Sequence, residues 1–152
     1  MSYLILSTGM ATVLAQVSLG GGLFEYRVID PAWPRNPALI QPGSGGVNRK
    51  QFWIPAHIAF ELASLTALAV AWSQPTVRFW LFVALASHLA LRVWSAVDFI
   101  PKALNFEKRG SAILVKDALR WTRRSLARLP LAIVTTVATL IAFATACGLH
   151  AP

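Results

Sequence analysis

Charge is what this sequence has least of. Asp, Glu, Lys and Arg make up 13% of its 152 residues, and only six residues are acidic. An average soluble domain carries about twice that share, and 56% of this chain is hydrophobic, with a mean hydropathy of +0.57. The composition therefore predicts a membrane protein, and at this length a single domain. Cysteine is nearly absent as well. With Cys147 alone, an internal disulfide and a Cys-rich metal cluster are both excluded. No internal repeat is present. The first residues lack the basic n-region of a signal peptide, and their apolar run exceeds an h-region, so it is expected to be mature structure.

What is present is a set of long apolar runs. Ser2 to Phe24 contains no charged side chain, and the apolar stretch continues past Glu25 to about Ile29, long enough to span a bilayer. Gly20, Gly21 and Gly22 near its end have two readings, close packing against a neighbouring helix or a locally opened backbone beside a ligand. Asp30 to Lys50 is rich in proline and glycine and reads as a loop, either a lid or a membrane-surface segment carrying Trp33. A second span is expected from about Gln51 to Ser73, with Pro55 in its first turn and Phe52 and Trp53 as interfacial aromatics. After Gln74 and Pro75 a third runs from Thr76 to about Ile100, closed by Pro101. So short a connection makes the two antiparallel neighbours.

Lys102 to Arg128 is basic and amphipathic, with Leu114, Ala118, Trp121 and Ser125 at helical spacing. It reads as a helix lying at the interface, with nucleic-acid binding as the weaker alternative. The final span runs from Leu129 to about Leu149, where Pro130 marks the bend into the membrane. The expected fold class is thus all-α, a four-span transmembrane helix bundle (spans about 3–29, 51–73, 76–100 and 129–149) with an interfacial helix between spans three and four.

The formal net charge of +8 is distributed unevenly. Of the fourteen basic residues, Arg78 falls on the face of the termini, Arg92 lies inside the third span, and the other twelve fall on the loop face. By the positive-inside rule the loops 30–50 and 101–128 are expected in the cytoplasm, with both termini outside a bacterial-type inner membrane.

Against this background His57, Glu61, His88, Arg92 and Asp98 stand out, because an ionisable group inside a membrane is costly unless it is paired or serves a site. His57 and Glu61 are spaced i, i+4, and His88 and Arg92 repeat that spacing on the next helix. At about 1.5 Å per residue these four and Glu25 lie roughly 6 to 18 Å from the loop-side ends. Asp98 is nearer the surface. Three readings stay open. Glu61 and Arg92 could form a structural polar core. His57 or His88 could act as acid or base, oriented by Glu61 or Glu25, with Arg92 stabilising a developing oxyanion. Or Glu25, His57, Glu61 and His88 could hold a non-haem metal ion. The pocket walls expected around them are Gly21, Gly22, Trp94 and Ser95. Trp72, Trp80 and Trp121 read as interfacial anchors, Cys147 as packing and His150 as solvated.

Three motifs also carry a resemblance. Gly-Gly-Gly-Leu-Phe-Glu-Tyr (Gly20 to Tyr26), Phe-Trp-Ile-Pro-Ala-His (Phe52 to His57) and Trp-Ser-Ala-Val-Asp-Phe-Ile-Pro (Trp94 to Pro101) resemble bacterial four-helix membrane proteins of unknown function. More distantly the chain is similar to the anthrone-oxygenase-like family. That resemblance implies oxygenation of an activated aromatic or quinol-type compound, with no dedicated cofactor, and assigns no catalytic residue. The functional expectation is binding, and in one reading oxidising, a small apolar or aromatic molecule at the polar cluster, with either no cofactor or a metal ion. The alternative is a non-enzymatic transporter subunit or assembly partner, which with four spans would need a homo-oligomer. Expected partners are the lipid bilayer and the small ligand, and no nucleic acid.

Overall fold

The computed structural model describes residues 3–148, so His150 lies outside the described residues. Four helices are long and apolar enough to cross a membrane: α1 Tyr3–Ala32, α2 Arg49–Val70, α3 Pro75–Arg109 and α4 Val115–Gly148. No strand occurs among the described residues, and the fold is an all-α bundle. At 1.5 Å per residue α3 is about 50 Å long, well beyond a hydrocarbon core of about 30 Å. Its excess length lies on the side of the two long connections, here the loop end. The opposite end holds the 71–74 turn and is the turn end.

Around the bundle the helices follow the order α2, α1, α4, α3. Contact is most extensive between α3 and α4, followed by α1 with α4 and α1 with α2, and is sparsest between α2 and α3. The close pairs meet through small side chains. Ala11, Ala15, Ala67, Ala84, Ala138 and Ala142 are buried, together with Thr8, Thr12, Ser64 and Thr139. This is how membrane helices pack, since lipid gives large apolar side chains no reason to turn inward. Accordingly Val13, Leu62, Phe79, Val93 and Leu140 face outward. The threonine hydroxyls are satisfied locally or across the helix contact: Thr12 Oγ1 donates to the carbonyls of Thr8 (2.8 Å) and Thr139 (3.0 Å).

Two prolines behave differently from the sequence expectation. Pro101 does not close the third span, and the first span continues through Pro31 to Ala32. Each proline follows a π-helical turn, Glu25–Ile29 and Ser95–Phe99, in which the next N–H reaches five residues back: Asp30 to Glu25 and Ile100 to Ser95. The wider turn makes room for a ring that would otherwise press on the preceding carbonyls. The second span starts at Arg49, so Pro55 lies inside it and not in its first turn.

Of the segment expected as an interfacial helix, Lys102 to Arg128, residues 102–109 continue α3, and Val115–Ser125 passes through one 3-10 turn, Leu126–Arg128, into the rest of α4. Its Ala118, Trp121 and Ser125 are buried as the spacing predicts, but Leu114 is exposed because it precedes the first turn. Trp121 and Trp33 are not interfacial anchors. Trp33 is 0% exposed, and both belong to a loop-end cluster with Ile29, Ile40, Phe99 and Ile113. The 30–50 segment folds over that cluster through two 3-10 turns, Pro37–Ile40 and Pro42–Ser44. Gly45 at φ +82° ends the second, and Gly110 at φ +53° turns the chain out of α3, both positions where a side chain would be strained.

Candidate functional site

Between the small-residue packing at the turn end and the aromatic cluster at the loop end lies a cavity of about 440 Å³ lined by all four helices. That volume falls in the usual range of small-molecule sites. Of the residues singled out from sequence, Glu25, His57, His88, Arg92, Gly22 and Ser95 line it. Glu61, Gly21 and Trp94 do not.

Each of the three outliers has a physical reason. Glu61 is held between α2 and α3, where it accepts a hydrogen bond from His88 Nε2 (3.1 Å) and lies 3.3 Å from Arg92 Nε. It therefore works as a brace between helices. Gly21 takes the ring of Phe52 where a Cβ would stand, so its role is close approach. The backbone at Gly20 to Gly22 stays α-helical, and the opening of the helix comes at Glu25 instead. Trp94 is 37% exposed and edges against Phe99 from outside.

The tryptophan at the cavity is Trp53, read from sequence as interfacial. It stacks on His57 with ring centroids 5.2 Å apart and donates from Nε1 to Glu25 Oε1 at 2.8 Å. His57 in turn lies 5.4 Å from the ring of His88. A signal for Trp53 was present: Trp53, His57 and Glu61 form an i, i+4, i+8 stripe on one face of α2.

Two basic residues of the site were not singled out. Arg49 reaches Asp30 Oδ1 (3.2 Å) and Glu25 Oε1 (3.5 Å), with Asp30 also accepting from Trp33 Nε1 (3.1 Å). Its guanidinium stands near the rings of Trp33 and Trp121, about 6 Å from each centroid. Arg128 donates to Ser95 Oγ and Ser125 Oγ, both at 3.0 Å, and sits 4.3 Å over Phe99. Asp98 pairs with Lys102 and Arg124 at the outer surface, as its boundary position implies. Ion pairs thus take up five of the six acids, Asp117 being the exception among the described contacts.

Among the described residues no three His, Cys, Asp or Glu side chains are grouped to hold a metal ion. The proposed ligand set is divided by its own pairings, Glu25 with Trp53 and Arg49, Glu61 with His88 and Arg92. What the cavity does present is unsatisfied polar atoms. His57 Nδ1, Ser18 Oγ and Trp121 Nε1 are buried without a hydrogen-bond partner in the protein, and all three residues line the cavity. Such atoms cost stability unless something bonds to them. The arrangement can therefore hold an apolar or aromatic body and hydrogen-bond its polar edge. Compared with protein-family models, curated proteins and solved structures, the chain finds no match, so the geometry of this site carries the functional reading.

Proposed function

We propose that the protein is an integral membrane protein that binds a small aromatic, quinol-like molecule in this cavity, with His57 accepting its phenolic proton. The observation that carries this is the unpartnered Nδ1 of His57, buried in the wall of a cavity of about 440 Å³. The free nitrogen of an imidazole is a hydrogen-bond acceptor for a phenolic hydroxyl, and Trp53 fixes the ring by stacking on it. Loss of the phenolic proton raises electron density on the ring, the step shared by quinol oxidation and by oxygenation of an activated aromatic carbon. Arg92 and Arg128 line the same space and supply positive charge for the resulting oxyanion. In this reading Glu61 holds His88 and Arg92 in place across the two helices and does not meet the ligand. The protein sits in a bacterial-type inner membrane with the loop end in the cytoplasm, which the distribution of basic residues supports.

The test uses trimethylhydroquinone and detergent-purified protein, with empty micelles as the blank. Saturable binding that raises the melting temperature is expected. Gly22→Leu should abolish it: Gly22 lines the cavity with only ordinary contacts around a added Cβ, to Trp53 and Tyr26 at 3.9 Å, so the larger side chain fills space and leaves the helix intact. Absence of saturable binding to the wild-type protein, or equal binding by a folded Gly22→Leu variant, would refute the proposal.

A further inference from the structure

The cavity is closed at both ends of the bundle but not at its side. Toward the turn end Ala67, Ala71, Val77 and Leu81 pack into one apolar cluster with α1 and α4. Toward the loop end Trp33, Phe99, Phe106 and Trp121 form a plug of mutually tilted and edge-on rings, their centroids 5.3 to 6.1 Å apart. The remaining boundary is the seam between α2 and α3, the sparsest helix contact in the ring.

Long side chains bridge that seam at two levels. At the loop end Lys50 Nζ meets Glu107 Oε2 at 3.0 Å. Deeper in the membrane Glu61 joins His88 and Arg92. On α2 these levels are eleven residues apart, about 16 Å along a helix. Between them the rim is apolar. Ile54, Ile58 and Ile100 line the cavity and are at the same time 56%, 51% and 42% exposed on the outer surface of the bundle. Each side chain lines the cavity and is also substantially exposed, as the rim of an opening in the side of the bundle must be.

Resting on the cavity being a ligand site, we infer that its ligand is a membrane-resident amphiphile, a compact hydrogen-bonding ring carrying a hydrocarbon tail, admitted sideways from the bilayer between α2 and α3. The ring occupies the cavity against His57 and Trp53. The tail leaves between Ile54, Ile58 and Ile100 into lipid, where its burial costs nothing and each methylene adds to retention. The two ion pairs frame the slit and set its height. A water-soluble ligand would instead need a path through the loop end, which the aromatic plug and the folded 30–50 segment occupy.

Two probes separate this from the binding proposal itself: trimethylhydroquinone, and the same ring bearing a decyl chain, both measured on protein in lipid nanodiscs. The wild type is expected to bind the decyl probe at least tenfold more tightly, after correction for partitioning into empty discs. Ile58→Trp narrows the slit from an outward-facing position. It should weaken the decyl probe about tenfold more than the short probe, while Leu140→Trp on the outer face of α4 changes neither. If the short probe fails to bind wild-type protein, the ligand site and this inference fall together. If it binds but Ile58→Trp affects both probes alike, or neither, the side opening is overturned and the ligand site stands. An Ile58→Cys variant in a Cys147→Ser background should stay monomeric in membranes. Efficient disulfide-linked dimers would assign the seam to a second copy of the chain and overturn the inference.

Discussion

The two ends of this bundle solve the same problem, polar groups in an apolar protein, in opposite ways. Toward the turn end, the hydroxyls of Thr8, Thr12 and Thr139 are buried, and each donates to a backbone carbonyl within 3.0 Å. Of the buried hydroxyls there, Ser64 Oγ alone among the described residues lacks a partner. Around the cavity, His57 Nδ1, Ser18 Oγ and Trp121 Nε1 have no partner although the helices that carry them pack together. Polarity by itself is therefore a poor marker of function in a membrane protein, whereas several unsatisfied polar atoms gathered around one cavity are a better one. Ion pairing divides along similar lines. Arg49 and Glu61 are consumed in joining segments, and His57 is not.

The contrast can be broken most severely at Arg49. Arg49→Met leaves the buried carboxylate of Asp30 without its cation, and losing one partner of a buried pair costs about 3 to 5 kcal/mol. Chemical denaturation in micelles should show that loss, together with exposure of Trp33 seen as a red-shifted emission. Next in size is Ala142→Leu, at a fully buried position in the turn-end cluster. Overpacking there costs about 1 to 3 kcal/mol, read as a lower melting temperature with ligand affinity retained in the protein that remains folded. His57→Phe should do the reverse. It keeps a ring for Trp53 to stack on and removes an unsatisfied buried nitrogen, so the empty protein melts at the same or a higher temperature while trimethylhydroquinone binding falls at least tenfold. A fall in both would make His57 a structural residue. The smallest effect is expected from Cys147→Ser, exposed near the end of α4, with a stability change of at most about 0.5 kcal/mol.

The bundle was readable because membrane spans declare themselves by length and absence of charge, and the four apolar runs correspond to the four long helices. The paired spacing of His57 with Glu61 and His88 with Arg92 pointed toward the candidate cavity, which three of the four residues line. Three kinds of information were not in those patterns. Trp33, Trp53 and Trp121 were read by the average behaviour of tryptophan at membrane borders, but the excess length of α1, α3 and α4 builds an aromatic interior at the loop end that a span count does not foresee. Arg49 looked like one of many basic loop residues. Its partner Asp30 is nineteen positions away, and only the folding of the proline-rich segment brings them together. Glu61 shares a helical stripe with His57 yet faces the seam, a distinction of one helix neighbour that spacing does not resolve.

The two π turns have one more consequence. Each fits an additional residue into the helix, and a residue of α-helix corresponds to about 100° of rotation, so beyond Ile29 and Phe99 both helices continue with their azimuth reset. That offset is what lets one helix face small residues at its turn end and then present Trp33, or Phe99 and Phe106, to the same interior farther along. Deleting a single residue from either turn would restore ordinary α-helical phase and swing the loop-end aromatics away from Trp121. The capacity of this protein to enclose a cavity thus depends on two one-residue insertions as much as on any side chain that lines it.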